Sequence, residues 1–174
     1  MSETTGVSVS LRDGLGMASI APPRGGAAAL AQALREHAGL TPPEPGCWVG
    51  DDALALLWTA PGQFLAVGDA VATQRLTAAL RERARLIDLT GARVVVRLAG
   101  AAVRDLLARV VPIDLHPRAM GPGRVASTVA AHIGVLIWQI DALPSYDIAG
   151  PVSYAGSLRR ALELAGAPKA GTNS

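Results

Sequence analysis

The sequence predicts an α+β fold built from two similar halves, and three observations carry that reading. First, Val94, Val96 and Leu98 alternate with Val95 and Arg97, the period of a half-buried strand. Past Gly100 the period changes: Val103, Leu106, Leu107 and Val110 recur at the spacing of one helical face. Second, Pro61-Gly62 separates two apolar runs, which reads as a hairpin. Third, Trp58 and Trp138 each close an apolar run just before a turn, followed by a short run and then a helical pattern. Recurrence at such an offset is the mark of an internal duplication. The expected architecture is two β-α-β-β-α halves related by a pseudo-twofold, with antiparallel sheets and helices packed on them. The expected division is 1–85 for the first half and 86–168 for the second, sharing a core, with 169–174 a disordered tail.

Met1 to Gly6 is polar and expected to be disordered. Val7–Leu11 and Leu15–Ile20 read as extended pieces around the turn dipeptide Asp13-Gly14. Ala27–Ala38 reads as a helix, with Ala27, Leu30, Leu34 and Ala38 on one side and Gly39 as its stop. Leu40–Gly50 carries Pro42, Pro43, Pro45 and Gly46, a stiff surface connection. Ala53–Thr59 and Gln63–Val67 are the hairpin strands. Asp69 is placed to cap a helix running to Arg85, with Ala72, Leu76, Ala79 and Leu80 inward.

Pro112 stops the helix of the second half, and Asp114-Leu115-His116-Pro117 turns the chain. Gly121-Pro122-Gly123 opens the strands Val125–His132 and Val135–Ile140. Asp141–Pro144 turns, Tyr146–Ala149 returns, and Ser153 is placed to cap a last helix. In that helix Tyr154, Leu158, Ala161, Leu162 and Ala165 share a face, and Gly166 ends it. Burial of Leu158 and Leu162 contributes roughly 1.5–3 kcal/mol each.

Composition excludes several function classes. A formal charge of +2 is too small for an electrostatic grip on nucleic acid. Apolar runs such as Val135–Trp138 are far shorter than a membrane span. The polar start, Met1–Ser10, does not read as a signal peptide. The single cysteine, Cys47, excludes an internal disulfide and reads as an inert thiol in a reducing cytoplasm. Half the residues are apolar and 17% are charged, with few aromatics, a balance that leaves apolar surface for a protein partner. The basic residues are almost all arginine, suited to bidentate and partly buried contacts. Arg81, Arg83 and Arg85, with Trp138, are the candidate interface residues.

No catalytic or metal site is expected. Gly121-x-Gly123-x-x-Ala126 superficially fits a dinucleotide fingerprint, but that motif must open a helix. Val125, Ser127, Thr128 and Val129 favour a strand instead. His37, His116 and His132 lack metal-ligand spacing. His116, beside Asp114, reads as a turn residue. No Gly-x-Ser-x-Gly elbow supports a hydrolytic triad. Asp88 in Ile87-Asp88-Leu89-Thr90 reads as an Asx-type acceptor for the backbone of the following turn.

Several segments taken together resemble the gamma subunit of heterotetrameric sarcosine oxidase. More broadly they resemble the folate-binding fold of the glycine-cleavage aminomethyltransferase, the T-protein. They are Trp58 with Pro61-Gly62-Gln63-Phe64-Leu65; Asp88-Leu89-Thr90 with Leu98-Ala99-Gly100; Leu106-Leu107 leading to Ile113-Asp114-Leu115-His116-Pro117; Gly123 with Thr128; Trp138; and Ser153-Tyr154-Ala155-x-Ser157-Leu158. Their order and spacing over Ala53–Gly166 carry the resemblance. It implies a small assembly subunit with no catalytic, cofactor or metal residues of its own. The complex it implies oxidises sarcosine with FAD, FMN and NAD and passes the one-carbon unit to tetrahydrofolate. Its partners would be large flavin-bearing alpha and beta subunits and a small delta subunit. T-protein-like sequences carry acidic residues where this chain has Ile133-Gly134-Val135-Leu136, and they are more than twice as long. The resemblance therefore does not imply independent aminomethyl transfer. A free-standing folate-binding or one-carbon protein is the alternative. Gamma-like sequences also carry an arginine before the terminal serine-aromatic pair, where this chain has Pro151-Val152-Ser153.

Overall fold

The structure, a computed structural model, describes residues 6–168; of the segments read as disordered, Met1 to Gly6 lies outside them save for Gly6, and 169–174 lies wholly outside them. The chain forms two five-stranded antiparallel sheets with helices, the predicted α+β class. It divides into two units, Gly14–Gly91 and the remainder, Met1–Asp13 with Ala92–Ser174.

The Gly14–Gly91 unit contains strand β2 (Leu15–Ala21), helix α1 (Ala27–Ala38), strands β3 (Trp48–Gly50), β4 (Leu54–Ala60) and β5 (Gln63–Asp69), helix α2 (Ala70–Leu80) and strand β6 (Arg85–Asp88). Its sheet order is β3-β4-β5-β2-β6. The other unit contains β1 (Ser8–Leu11), β7 (Arg93–Ala99), the short helix α3 (Val103–Leu107), β8 (Val125–Ala130), β9 (Ile133–Asp141), β10 (Ser145–Pro151), a 3₁₀ turn at Val152–Tyr154 and α4 (Ala155–Leu164). Its order is β1-β7-β10-β9-β8. Laid against each other, β2 matches β7, β3–β5 match β8–β10, and the strand orders are identical. The internal repeat is thus present in the topology, and Trp58 and Trp138 fall on the matching strands β4 and β9.

In each sheet the fifth strand comes from outside the simple repeat. β6 follows α2 and pairs with β2; β1 precedes the first unit and pairs with β7. This is why the division needs two crossings, near residues 13 and 91, rather than the expected single cut after 85.

Each helical face is filled by one cluster. In Gly14–Gly91, Ile20, Leu56, Phe64 and Ala66 meet Leu30, Ala33 and Leu34 of α1 and Leu76 and Leu80 of α2. In the other unit, Val96, Leu98, Ile137, Tyr146 and Ile148 meet Val103, Leu106 and Leu107 of α3 and Leu158 and Leu162 of α4. Sheet residues of opposite parity are buried too, Leu57, Leu65 and Val67 in one unit and Val95, Leu136 and Trp138 in the other. Strands covered on both faces lose clean alternation, so Val95, read as the outward residue, is 1% exposed.

Several expectations need correction. Trp48–Gly50, inside the predicted Pro-rich connection, is a strand. α2 stops at Leu80, where Arg83 N–H and Ala84 N–H both donate to Leu80 C=O, and the chain re-enters the sheet at Arg85. Asp69 stands at the start of α2, yet its carboxylate makes no capping bond. Ser153 lies inside the 3₁₀ turn and caps nothing, and Tyr154, placed on the inner face, is 53% exposed. Gly39, as expected, ends α1 in the left-handed conformation, φ 64°.

Candidate functional site

The Gly14–Gly91 unit carries a groove of about 480 Å³ beside α2. Gly16 permits it: a Cβ there would lie 2.8 Å from Thr73 Cβ and 2.9 Å from Ala70 Cα, so only glycine lets α2 cross β2 this closely. One wall is a helical stripe of Thr73, Thr77 and Arg81, four residues apart, with Ala70 and Gln74 beside it. The floor is Gly16, Met17 and Ala18, and the far wall is Leu86, Asp88 and Thr90.

The polar groups of this groove are largely engaged by the fold. The buried Thr73 hydroxyl donates to Gly16 C=O at 3.3 Å. Thr90 N–H donates to Asp88 Oδ1 at 2.8 Å, the Asx-type turn read from the sequence, and this bond holds the Asp88 carboxyl below its ordinary value of 3.8. The Thr90 hydroxyl accepts from Met17 N–H at 3.0 Å and so extends the β2–β6 ladder with a side chain. Arg81 and Asp88 are solvent-exposed. The groups that line the groove offer hydroxyls, one carboxylate and one guanidinium, and no histidine, cysteine or lysine is among them.

The other unit holds two buried polar networks that sequence reading missed. Asp147, on β10, is fully buried and takes three charge-assisted bonds. Arg97 Nε donates to Oδ1 at 2.7 Å, Arg97 Nη2 to Oδ2 at 2.8 Å, and Arg12 Nη1 to Oδ2 at 2.9 Å. The arginine side chains are 23% and 18% exposed. The bidentate fork fixes β7 against β10, and Arg12 ties down the end of β1. The signal was present: charged residues at the centre of apolar strands must find partners. The second network joins Arg104, Tyr146 and Gln139. Arg104 Nε donates to the Tyr146 hydroxyl at 3.0 Å, which donates to Gln139 Oε1 at 2.9 Å, and Gln139 Nε2 donates to Asp141 C=O at 2.6 Å. Burial raises the Tyr146 phenol above 10.0, and the Arg104 guanidinium opposes the shift.

The four candidate interface residues separate. Arg81, Arg83 and Arg85 are exposed, and Arg85 Nη2 donates to Pro22 C=O at 3.2 Å. Trp138 is corrected: it is 1% exposed on the interior strand β9, between Asp147 and Val125 on the flanking strands, and it is no surface contact in the folded chain. His116 sits in a turn, its N–H donating to Asp114 Oδ1 at 2.8 Å and its Nδ1 accepting from Arg118 N–H at 3.2 Å. Gly121-x-Gly123 runs into strand β8, not a helix, so the phosphate cradle is missing. Among the described residues, no group of three or more His, Cys, Asp or Glu could hold a metal ion, and no helix is long and apolar enough to cross a membrane.

Comparison with known proteins agrees with this geometry. Among solved structures, the chain is similar to one in heterotetrameric sarcosine oxidase from Corynebacterium sp. U-96 in complex with pyrrole 2-carboxylate. The TM-score is 0.77 at 28% identity, covering 98% of this chain and 91% of that one. It also shares the fold of the glycine cleavage system aminomethyltransferase T from Bartonella henselae, with a TM-score of 0.63 at 16% identity, over 91% of this chain and 45% of that one. In sequence it is 38% identical over 122 residues to sarcosine oxidase subunit gamma from Corynebacterium sp. (strain P-1). It is 39% identical over 122 residues to the subunit of that name from Arthrobacter sp. Each match covers 68% of this chain and 59% of the relative, so the chain spans about three fifths of those proteins. The model of the sarcosine oxidase gamma subunit family matches residues 24–155, which reach from the loop before α1 to the start of α4 and take in most of both sheets. With well over half of the chain inside that match, the chain belongs to the sarcosine oxidase gamma subunit family.

Proposed function

We propose that this chain is a non-catalytic assembly subunit of a heterotetrameric sarcosine oxidase-type flavoenzyme, which demethylates sarcosine oxidatively and passes the one-carbon unit to tetrahydrofolate. The observation that carries the reading is the near end-to-end likeness to a chain of a heterotetrameric sarcosine oxidase. The disposition of polar groups supports it. Asp147, Gln139 and Tyr146 are consumed in holding strands together, and Asp88 accepts from its own turn. In this reading FAD, FMN, NAD and tetrahydrofolate belong to larger alpha and beta chains, with a small delta chain completing the complex. The residues here do not fit a dinucleotide, because the one glycine-rich stretch of the right pattern leads into a strand. The exposed Arg81, Arg83 and Arg85 belong to the surface offered to those chains, where guanidinium groups make bidentate contacts to carboxylates.

Two measurements test this. Co-expression of the larger chains with and without this one is expected to yield an intact oxidase only with it. An active complex that forms without it and never co-elutes with it would overturn the proposal. Titration of the purified chain with tetrahydrofolate, followed by tryptophan fluorescence, is expected to show no saturable change. Micromolar binding would favour a free-standing folate-binding protein instead.

A further inference from the structure

We propose that the outer edge of β8, Val125–Ala130, is the site where an extended segment of a larger partner chain adds as a sixth strand to the sheet. The inference rests on the assembly reading above and specifies the mode of contact. A sheet edge presents alternating N–H and C=O groups, and the ligand that matches them is another extended backbone.

The groups that face outward follow from the register. β8 and β9 pair without a bulge from Val125–Trp138 to Ala130–Ile133, and a two-residue turn, Ala131-His132, joins them. In such a hairpin the flanking pair exchanges both backbone bonds, so Ala130, Thr128 and Ala126 bond inward to β9. Arg124 C=O, two residues further along, accepts from Gln139 N–H at 3.1 Å, which is the same parity. Val125, Ser127 and Val129 therefore turn their N–H and C=O outward, and the side chains of Ser127 and Val129 are exposed, Val129 at 41%.

Edges are ordinarily blunted by shortness, charge, proline or a bulge. Three of the four edges here are. β3 has three residues and runs into Asp51-Asp52; β6 carries Arg85 and Asp88; β1 has four residues and ends at Arg12. β8 has six residues, Val-Ala-Ser-Thr-Val-Ala, with no charge, proline or glycine. It is also held rigid. Ala131 and His132 both adopt positive φ, 46° and 70°, although neither is glycine, and Ala131 N–H donates to Val110 C=O at 3.2 Å. The strained turn and that bond pin the register of the hairpin.

Charge selects the occupant. Among the described residues outside Gly14–Gly91 there are nine arginines and six carboxylates, so two copies of this unit repel, and a partner segment with acidic flanks is attracted.

Proline at 127 would remove an outward N–H and leave the ladder to β9 intact. In pull-downs of the full chain with its larger partners, Ser127→Pro is expected to weaken binding by about tenfold or more, and Ser127→Ala to bind as wild type. Val129→Lys, which blocks edges by charge, is the second variant should Ser127→Pro fail to fold. It is expected to fold with unchanged circular dichroism and to lose binding likewise. Wild-type affinity in a folded Ser127→Pro or Val129→Lys chain overturns the proposal, as does a wild-type dimer that Ser127→Pro converts to monomer. If the wild-type chain itself does not bind, the assembly reading fails with it.

Discussion

Asp147→Ala removes a buried carboxylate that pairs with both Arg97 and Arg12, whose side chains are 23% and 18% exposed. Removing one partner of a buried pair costs about 3–5 kcal/mol, and exposed pairs are worth about 0–1 kcal/mol. Asp147 is fully buried, while the arginines keep some access to water and make further contacts. The low end applies, about 3 kcal/mol. For a chain of this size that is a fall in Tm of about 6–12 °C. Urea unfolding monitored by tryptophan fluorescence gives the free energy, and calorimetry gives Tm. The paired substitution Arg97→Met with Asp147→Leu separates the charge effect from packing. It is expected to recover part of the loss, because an apolar pair replaces a buried ionic one at little cost. A loss below about 1 kcal/mol in Asp147→Ala would place the triad with ordinary surface ion pairs and contradict its role in holding β1, β7 and β10 together.

Four further outcomes follow from the same geometry. Tyr146→Phe strips hydrogen bonds from Gln139 and Arg104 and is expected to cost about 1–2 kcal/mol. In a Tyr154→Phe background, the Tyr146 phenol should titrate above 10.0 by ultraviolet absorbance; because the folded state holds the proton more tightly, stability should fall as pH rises beyond that value. Asp88 has the opposite sign: its depressed carboxyl contributes stability above pH 3.8 that is lost as pH falls through the folded value, and a carbon-13 titration of its carboxyl should show a midpoint below 3.8. Replacing Ala131-His132 with Asn-Gly, the pair that two-residue turns prefer, is expected to raise stability by about 0.5–1 kcal/mol in the same urea assay.

What could be read from the sequence was local. The Pro61-Gly62 turn, the change of period at Gly100, the Gly39 stop and the Asp88-Thr90 turn each depend on neighbours in the chain, and each stands in the structure. Non-local events were hidden. β6 forms because Arg85–Asp88 finds β2 more than sixty residues earlier, so the helical pattern through Arg85 had no local signal to end it at Leu80. Ser8–Leu11 pairs with β7 across some ninety residues, so no reading of adjacent segments could assign it to the other unit. Trp48–Gly50 is too short and too near its prolines to show a period. For the candidate surface, the three arginines are exposed as read, while Trp138 was misjudged because a tryptophan near a turn resembles an anchor for a partner until its strand is seen to lie inside a sheet. Arg97 and Asp147 could have been found by asking where a charge in the middle of an apolar strand finds its counter-ion.

Native mass spectrometry of complexes purified through an affinity tag on the largest proposed partner chain is the decisive measurement of the assembly role. One copy of this chain is expected in every intact complex, with broken assemblies when its gene is deleted; full-mass, active particles that lack it would overturn the assembly role.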